Sequence, residues 1–256
     1  MANQNNTPAV QITNLKKSYG TFNAVKDISF EVYPGEIFGI LGINGAGKTT
    51  TLRMLAGVLK PTSGSITIGG FDLAKDTIQA KQITGYIPDR PYLYNKLTGR
   101  EFLYFVADLY NVPTDITEAR IDLLLSEYKL TQWQNELIES YSHGMRQRLA
   151  TCAGLLHQPK VLIVDEPMVG LDPHGAKFLK QSFRKYAKED NMAILLSTHS
   201  LNVAEEVADR LIIIDHGTVI AYGTLDEIRN QTGRNDQGLE ELFLQLTADA
   251  DTAYSS

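Results

Sequence analysis

Residues Gly42-Ile43-Asn44-Gly45-Ala46-Gly47-Lys48-Thr49 fill every fixed position of the pattern G-x-x-x-x-G-K-[ST]. An apolar run, Glu36 to Leu41, leads into this loop, and a helix-forming run, Thr50 to Val58, leaves it. A strand–loop–helix of this kind commits the chain to a sheet whose strands end at a common edge, where the loop opens. Its glycines let successive backbone N–H groups curl around an anion without a Cβ in the way. Lys48 adds a point charge, Thr49 a hydroxyl suited to Mg²⁺, and the helix beginning near Lys48 turns its positive end to the same place. At ordinary glycine, lysine and Ser/Thr frequencies the four fixed positions match by chance in roughly one chain of this size in a hundred. A bound nucleotide is therefore the leading expectation, with Gly42, Asn44, Gly45, Ala46, Gly47, Lys48, Thr49 and Thr50 around its phosphates.

The rest of the chain narrows the class. A formal net charge of −6 argues against a surface that coats a phosphate backbone, so no nucleic-acid partner is expected. Cys152 is the only cysteine, which rules out an internal disulfide and reads as a small buried helix residue. Met1-Ala2-Asn3-Gln4-Asn5-Asn6 has neither a basic start nor an apolar stretch, so no signal peptide is expected. The longest apolar runs, near Ile37 to Ile43, Val161 to Val164 and Leu211 to Ile214, fall well short of the ~20 residues that span a bilayer. Any work at a membrane needs a spanning partner on another polypeptide.

The patterning gives an α/β fold in three parts. Val10, Ile12, Ile28, Phe30 and Val32 alternate with polar neighbours up to a Pro34-Gly35 turn, as antiparallel strands do. Val161 to Val164, Ala193 to Leu196 and Leu211 to Ile214 are short continuous apolar runs separated by helical stretches, the signature of parallel strands covered on both faces. Between them, residues 89–158 carry Tyr92, Tyr94, Phe102, Tyr104, Phe105 and Tyr110 among helix formers and read as an inserted helical subdomain. Asp215-His216-Gly217-Thr218 reads as a hairpin turn. The predicted domain covers 9–223, with a catalytic core over 9–88 and 159–223. Residues 224–256 form a polar tail with one helix, Leu239 to Leu246.

A phosphate loop alone fits kinases, GTPases, motors and transport ATPases alike. Val161-Leu162-Ile163-Val164-Asp165-Glu166 discriminates, because an apolar strand ending in two carboxylates beside such a loop offers Asp165 to Mg²⁺ and Glu166 to an attacking water. Upstream, Tyr141-Ser142-His143-Gly144-Met145-Arg146-Gln147-Arg148-Leu149 opens a helix with Ser142 as N-cap, 23 residues before Asp165. This block resembles the L-S-G-G-Q signature of ABC ATPases. Gly170-Leu171-Asp172-Pro173 is similar to that family's D-loop, Ser197-Thr198-His199 to its switch histidine, and Tyr19 to the aromatic that stacks on adenine. The likeness runs in the family's order from about Val10 to Gly223.

The resemblance implies a P-loop NTPase core of the RecA-like kind with an antiparallel β subdomain and an α-helical insertion. It also implies an ATP-binding and ATP-hydrolysing subunit, using ATP and Mg²⁺, that powers a separate membrane-spanning permease from the cytoplasmic face of the membrane. In the family two such subunits, alike or different, dimerise head to tail, so ATP held by Lys48 and Thr49 of one meets Ser142 and Gly144 of the other. Glu166, His199 and Lys48 carry the implied catalysis and Thr49, Asp165 and Asp89 the metal. The aromatics after Asp89 lie where the family has part of the groove that receives the permease, with some expected to dock and some to be buried in the insertion's own core. The short tail is similar to the separate ATP-binding subunits of bacterial exporters.

Two motifs depart from the family pattern. Asp89 stands where glutamine is usual and has no amide donor; in the signature, His143 replaces the first glycine, bringing a ring that can itself donate to phosphate, and Met145 replaces the glutamine. Slow but real hydrolysis is the expectation, against the alternative of a nucleotide-locked regulatory module. Rival soluble ABC proteins fit less well: those acting on chromosomes need long heptad arms, and those acting on ribosomes carry two such domains in one chain.

Overall fold

The computed structural model describes residues 7–232 and 238–254; Met1–Asn6, read above for a leader, and 233–237 and 255–256 of the tail lie outside them. The chain begins with two long antiparallel strands, β1 (Val10–Tyr19) and β2 (Phe22–Val32). After β3 (Ile37–Leu41) and α1 (Lys48–Leu55) come β4 (Ser63–Ile68) and β5 (Phe71–Asp72), which complete an antiparallel sheet in the order β2-β1-β4-β5. A short helix, α2 (Thr77–Gln82), precedes β6 (Thr84–Ile87).

Between Ile87 and Val161 the chain leaves the sheet for α3 (Gly99–Leu109), α4 (Thr114–Glu127) and α5 (His143–Leu155). Two of these starts have a side-chain cap written in the sequence. Thr98 and Glu101 form a reciprocal capping box on α3, and the Ser142 hydroxyl accepts from the Met145 N–H at the head of α5. The chain then returns through β7 (Val161–Asp165), α6 (Pro173–Glu189), β8 (Ala193–Thr198), α7 (Leu201–Val207), β9 (Arg210–Asp215) and β10 (Thr218–Gly223). The second sheet has the order β10-β9-β3-β8-β7-β6, with β9, β3, β8, β7 and β6 parallel and only β10 antiparallel.

Both faces of this sheet are covered, which is why its strands read as unbroken apolar runs. Along β7, Leu162 and Val164 pack with the helical insertion and α6, while Val161 and Ile163 pack with α1 and the antiparallel sheet. Cys152 is buried in the first of these cores, and burial pushes its thiol well above the usual range, so it is an inert core residue.

The tail differs from the expectation. Two helices form where one was predicted: α8 (Leu225–Thr232), started by a Thr224–Glu227 capping box, and α9 (Leu239–Tyr254), which continues beyond Leu246. Nor is this segment merely polar, because Ile228, Leu239, Leu242 and Phe243 form a third core with Leu41, Leu211 and Ile213.

Arg210 ties the two sheets together. Its guanidinium lies 3.0 Å from Glu36 Oε1, faces the rings of Tyr222, Tyr33 and Phe38 at 4.8, 5.6 and 5.8 Å, and donates to the Tyr222 hydroxyl. Burial pushes the Glu36 carboxyl up, and the Tyr33 N–H and Arg210 oppose that push. Truncating Arg210→Ala strands a buried carboxylate and removes the cation from three rings, so urea denaturation should register a loss of about 2–4 kcal/mol. The Glu36→Gln, Arg210→Ala double variant should lose clearly less than the sum of the two single losses.

Candidate functional site

The phosphate loop emerges at the carboxyl edge of the parallel strands and is clamped from below. A Cβ on Gly42 would lie 2.3 Å from the Ile214 carbonyl oxygen, and one on Gly47, whose φ is +109°, would lie 2.6 Å from that of Ala24. Gly217, in the hairpin turn between β9 and β10, donates its N–H to the Ala46 carbonyl and accepts from the Lys26 N–H. The loop is thus wedged between β2 and the β9–β10 turn with no room for a side chain at its two ends. Ala46 is buried in the wedge, leaving the outer faces of Asn44, Gly45 and Gly47 to line a cavity.

That cavity, about 360 Å³, collects most of the residues singled out from the sequence: Tyr19, Asn44, Gly45, Gly47, Lys48, Thr49, Thr50, Asp89 and Glu166. Phe22, two thirds exposed, joins half-exposed Tyr19 there; no motif marks it, because its proximity depends on the β1–β2 turn. Two aromatic rings at the mouth and a wedge of N–H groups at the base suit a flat base joined to a phosphate chain.

Lys48 is almost fully buried, and its ammonium donates to the carbonyls of Gly42 and Ile43 at 2.8 and 3.1 Å. Burial depresses its pKa, while Glu166 and Asp165 work in the opposite direction. A polyanion fits here because it supplies the negative charge that a desolvated ammonium lacks. The Thr49 hydroxyl donates to Asp165 Oδ1 at 3.2 Å, and Asp89 lines a neighbouring cavity with both. Hydroxyl and carboxylate oxygens clustered beside a phosphate loop are the hard donors that Mg²⁺ takes, so the residues present fit that ion.

Asp165 ends β7 and Glu166 follows it directly, and the two face different partners. Buried Asp165 also accepts from the Ser197 hydroxyl at 2.6 Å, and the same hydroxyl accepts from the Glu166 N–H at 3.0 Å. Ser197 thus bonds to both acids; the Ser197-Thr198-His199 run put it in view, yet no pattern along the chain assigned it a task. Glu166 adopts the left-handed conformation at φ +49°, uncommon for a residue with a Cβ. Its two oxygens lie 3.6 Å from Lys48 Nζ and 3.0 Å from His199 Nδ1. A carboxylate held between an ammonium and an imidazole at the cavity wall is equipped to accept a proton from water.

Ser142 and Gly144 do not join this cavity. They line a separate cleft of about 390 Å³ with Gly170, Leu171 and Asp172. Asp172 caps α6 by accepting from the Gly175 N–H, and Pro173 takes the first helical position. One chain therefore presents two separate clefts, one with the phosphate loop and Glu166, the other with two helix N-termini.

Comparison with known proteins agrees with this geometry. The family model described as ABC transporter matches residues 25–169. The linearmycin resistance ATP-binding protein LnrL of Bacillus subtilis (strain 168) is 37% identical over 241 residues, covering 92% of this chain and 77% of that protein. The ABC-type transporter ATP-binding protein EcsA of the same organism is 36% identical, covering 93% and 96%. Among solved structures, that of the ATP binding subunit of an ABC transporter superposes with a TM-score of 0.88 at 36% identity, covering 94% of this chain and all of that one.

Proposed function

This chain belongs to the ABC transporter family of ATP-binding subunits, and we propose that it powers export through a separate membrane-spanning permease by closing head to tail on a second such subunit. The observation that carries the hydrolytic part of this reading is the placement of Glu166 between Lys48 and His199 at the wall of the phosphate-loop cavity. Tyr19 stacks on the adenine, the loop N–H groups and Lys48 hold the β- and γ-phosphates, and Ser142 with the Gly144 N–H approaches the γ-phosphate from the second subunit. Mg²⁺, held by Thr49 and Asp165 with Asp89 nearby, supplies charge neutralisation at the phosphates. Glu166 takes the proton of the attacking water while His199 fixes the carboxylate's orientation.

Separation of the two half-sites within one chain supports the dimer, since neither half surrounds a nucleotide alone. Export rests on likeness to the relative named for linearmycin resistance. No helix among the described residues is long and apolar enough to cross a membrane, in keeping with a peripheral subunit held at the cytoplasmic face by its permease.

The aromatics after Asp89 divide between core and surface. Phe102 is buried, Tyr110 stacks on His157 at 3.7 Å, and Tyr94 meets Phe105 edge-on at 5.2 Å. Tyr92 is 96% exposed and Tyr94 57%, and we assign these two to the permease-docking groove. A tagged chain expressed in its native host should co-purify from solubilised membranes with a multi-span protein, and Tyr92→Ala with Tyr94→Ala should cut that recovery at least about tenfold, as loss of two aromatic anchors does. Recovery with ribosomes or DNA alone would overturn the transporter reading.

A further inference from the structure

His143, which stands in place of the first signature glycine, is the first residue of α5, and its ring lies against the loop that follows Glu166. Its Nε2 is 3.4 Å from the Val169 carbonyl oxygen; because a carbonyl only accepts, that nitrogen carries the proton. The packing is close: a Cβ added to Gly170, whose φ is +75°, would sit 2.8 Å from both Cδ2 and Nε2 of the ring. Neither a glycine nor an alanine at 143 reaches Val169.

From Val169 the hydrogen bonds continue inward. The Val169 N–H donates to the Glu166 carbonyl at 3.2 Å, the Glu166 N–H donates to the Ser197 hydroxyl at 3.0 Å, and that hydroxyl donates to Asp165 at 2.6 Å. Two hydrogen bonds therefore separate the signature helix from the backbone of Glu166, and the chain between them is the tight turn that holds Glu166 at its left-handed φ. Local strain of this kind persists only where the surroundings over-determine it.

We propose that His143 is a positioning residue: it anchors the 166–172 loop to the signature helix of its own chain and thereby holds Glu166 where it accepts the proton from water. The proposal rests on the ATPase reading above. It extends that reading, because it makes the half-site that serves one nucleotide a determinant of the base that serves the other.

The test compares full-length wild type, His143→Ala and His143→Gln, the glutamine amide offering an N–H at a similar reach. Alanine should lower kcat about fivefold, the worth of one modest hydrogen bond, with the KM for ATP changed by less than about twofold. Glutamine should restore at least about half of the wild-type kcat. Hydrogen exchange of the 166–172 segment, followed by mass spectrometry without nucleotide, should quicken in the alanine variant and not in the glutamine one. Wild-type kcat and exchange in His143→Ala, or equal impairment of both variants, would overturn the proposal. Should wild type hydrolyse no ATP, the activity reading falls, and the exchange comparison still decides whether His143 anchors the loop.

Discussion

Glu166→Gln should lower ATP turnover by at least about a hundredfold while leaving ATP binding within a few-fold of wild type, since a positioned general base contributes about 10²–10⁴ in rate. The amide is close to isosteric with the carboxylate. It occupies the same place, 3.0 Å from His199 Nδ1 in the wild-type carboxylate, so the geometry of the wall is kept and only basicity and the ion pair to Lys48 are lost. The nucleotide's other contacts, the loop N–H groups, Lys48 and Thr49, are untouched. A subunit that binds ATP and cannot spend it should accumulate the closed pair, so size exclusion with Mg-ATP should show a dimer for Glu166→Gln and chiefly monomer for wild type. Slow as the departures at Asp89 and His143 lead us to expect wild-type hydrolysis to be, it should stand clearly above the variant. Equal rates would remove Glu166 from the role of base and leave a nucleotide-locked module as the better reading.

Wherever a task demands a particular residue type at a particular spacing, the sequence showed it. The Gly42–Thr49 loop, the acids ending the 161–166 run and the N-cap at Ser142 were legible because no other residues perform those tasks at those places. Contacts made by the fold were not. Ser197 is an ordinary strand serine until β7 and β8 pair in parallel with Asp165 opposite it. Phe22 reaches the cavity only through the β1–β2 hairpin, and β5 and α2, two and six residues long, are too short to leave a periodic signal. The tail is a different failure, since Thr224-x-x-Glu227 is a capping box written in the sequence, and Ile228, Leu239 and Leu242 mark an apolar face that the surrounding polar residues obscured. The separation of the two half-sites came from family likeness alone, because spacing along the chain says nothing about which end of the helical insertion Ser142 occupies.

Lys48→Met should separate affinity from stability. Without the ammonium the phosphate chain loses its one buried charge-assisted partner, and ATP affinity should fall by about 10²–10³-fold, some 3–4 kcal/mol, as a binding isotherm with a fluorescent ATP analogue would show. The ligand-free fold should not suffer in proportion. Burial holds the folded Lys48 pKa below its unfolded value, so at every pH below that unfolded value the folded state is the one that binds a proton less readily. In the empty site the charge therefore opposes folding. Against this relief stands the loss of the 3.6 Å contact to Glu166 and of the bonds to the Gly42 and Ile43 carbonyls. With opposing effects of similar size, urea stability of the nucleotide-free variant should stay within about 1 kcal/mol of wild type. Saturating ATP should raise the wild-type Tm and leave that of the variant almost unmoved, because a ligand stabilises only the state it binds. Lys48→Arg should not rescue, since a planar guanidinium does not fit a buried channel lined by two carbonyls. A Lys48→Met chain that unfolds without nucleotide would mean that the lysine holds the loop together; one that is stable and blind to ATP means that the loop holds the lysine for its ligand.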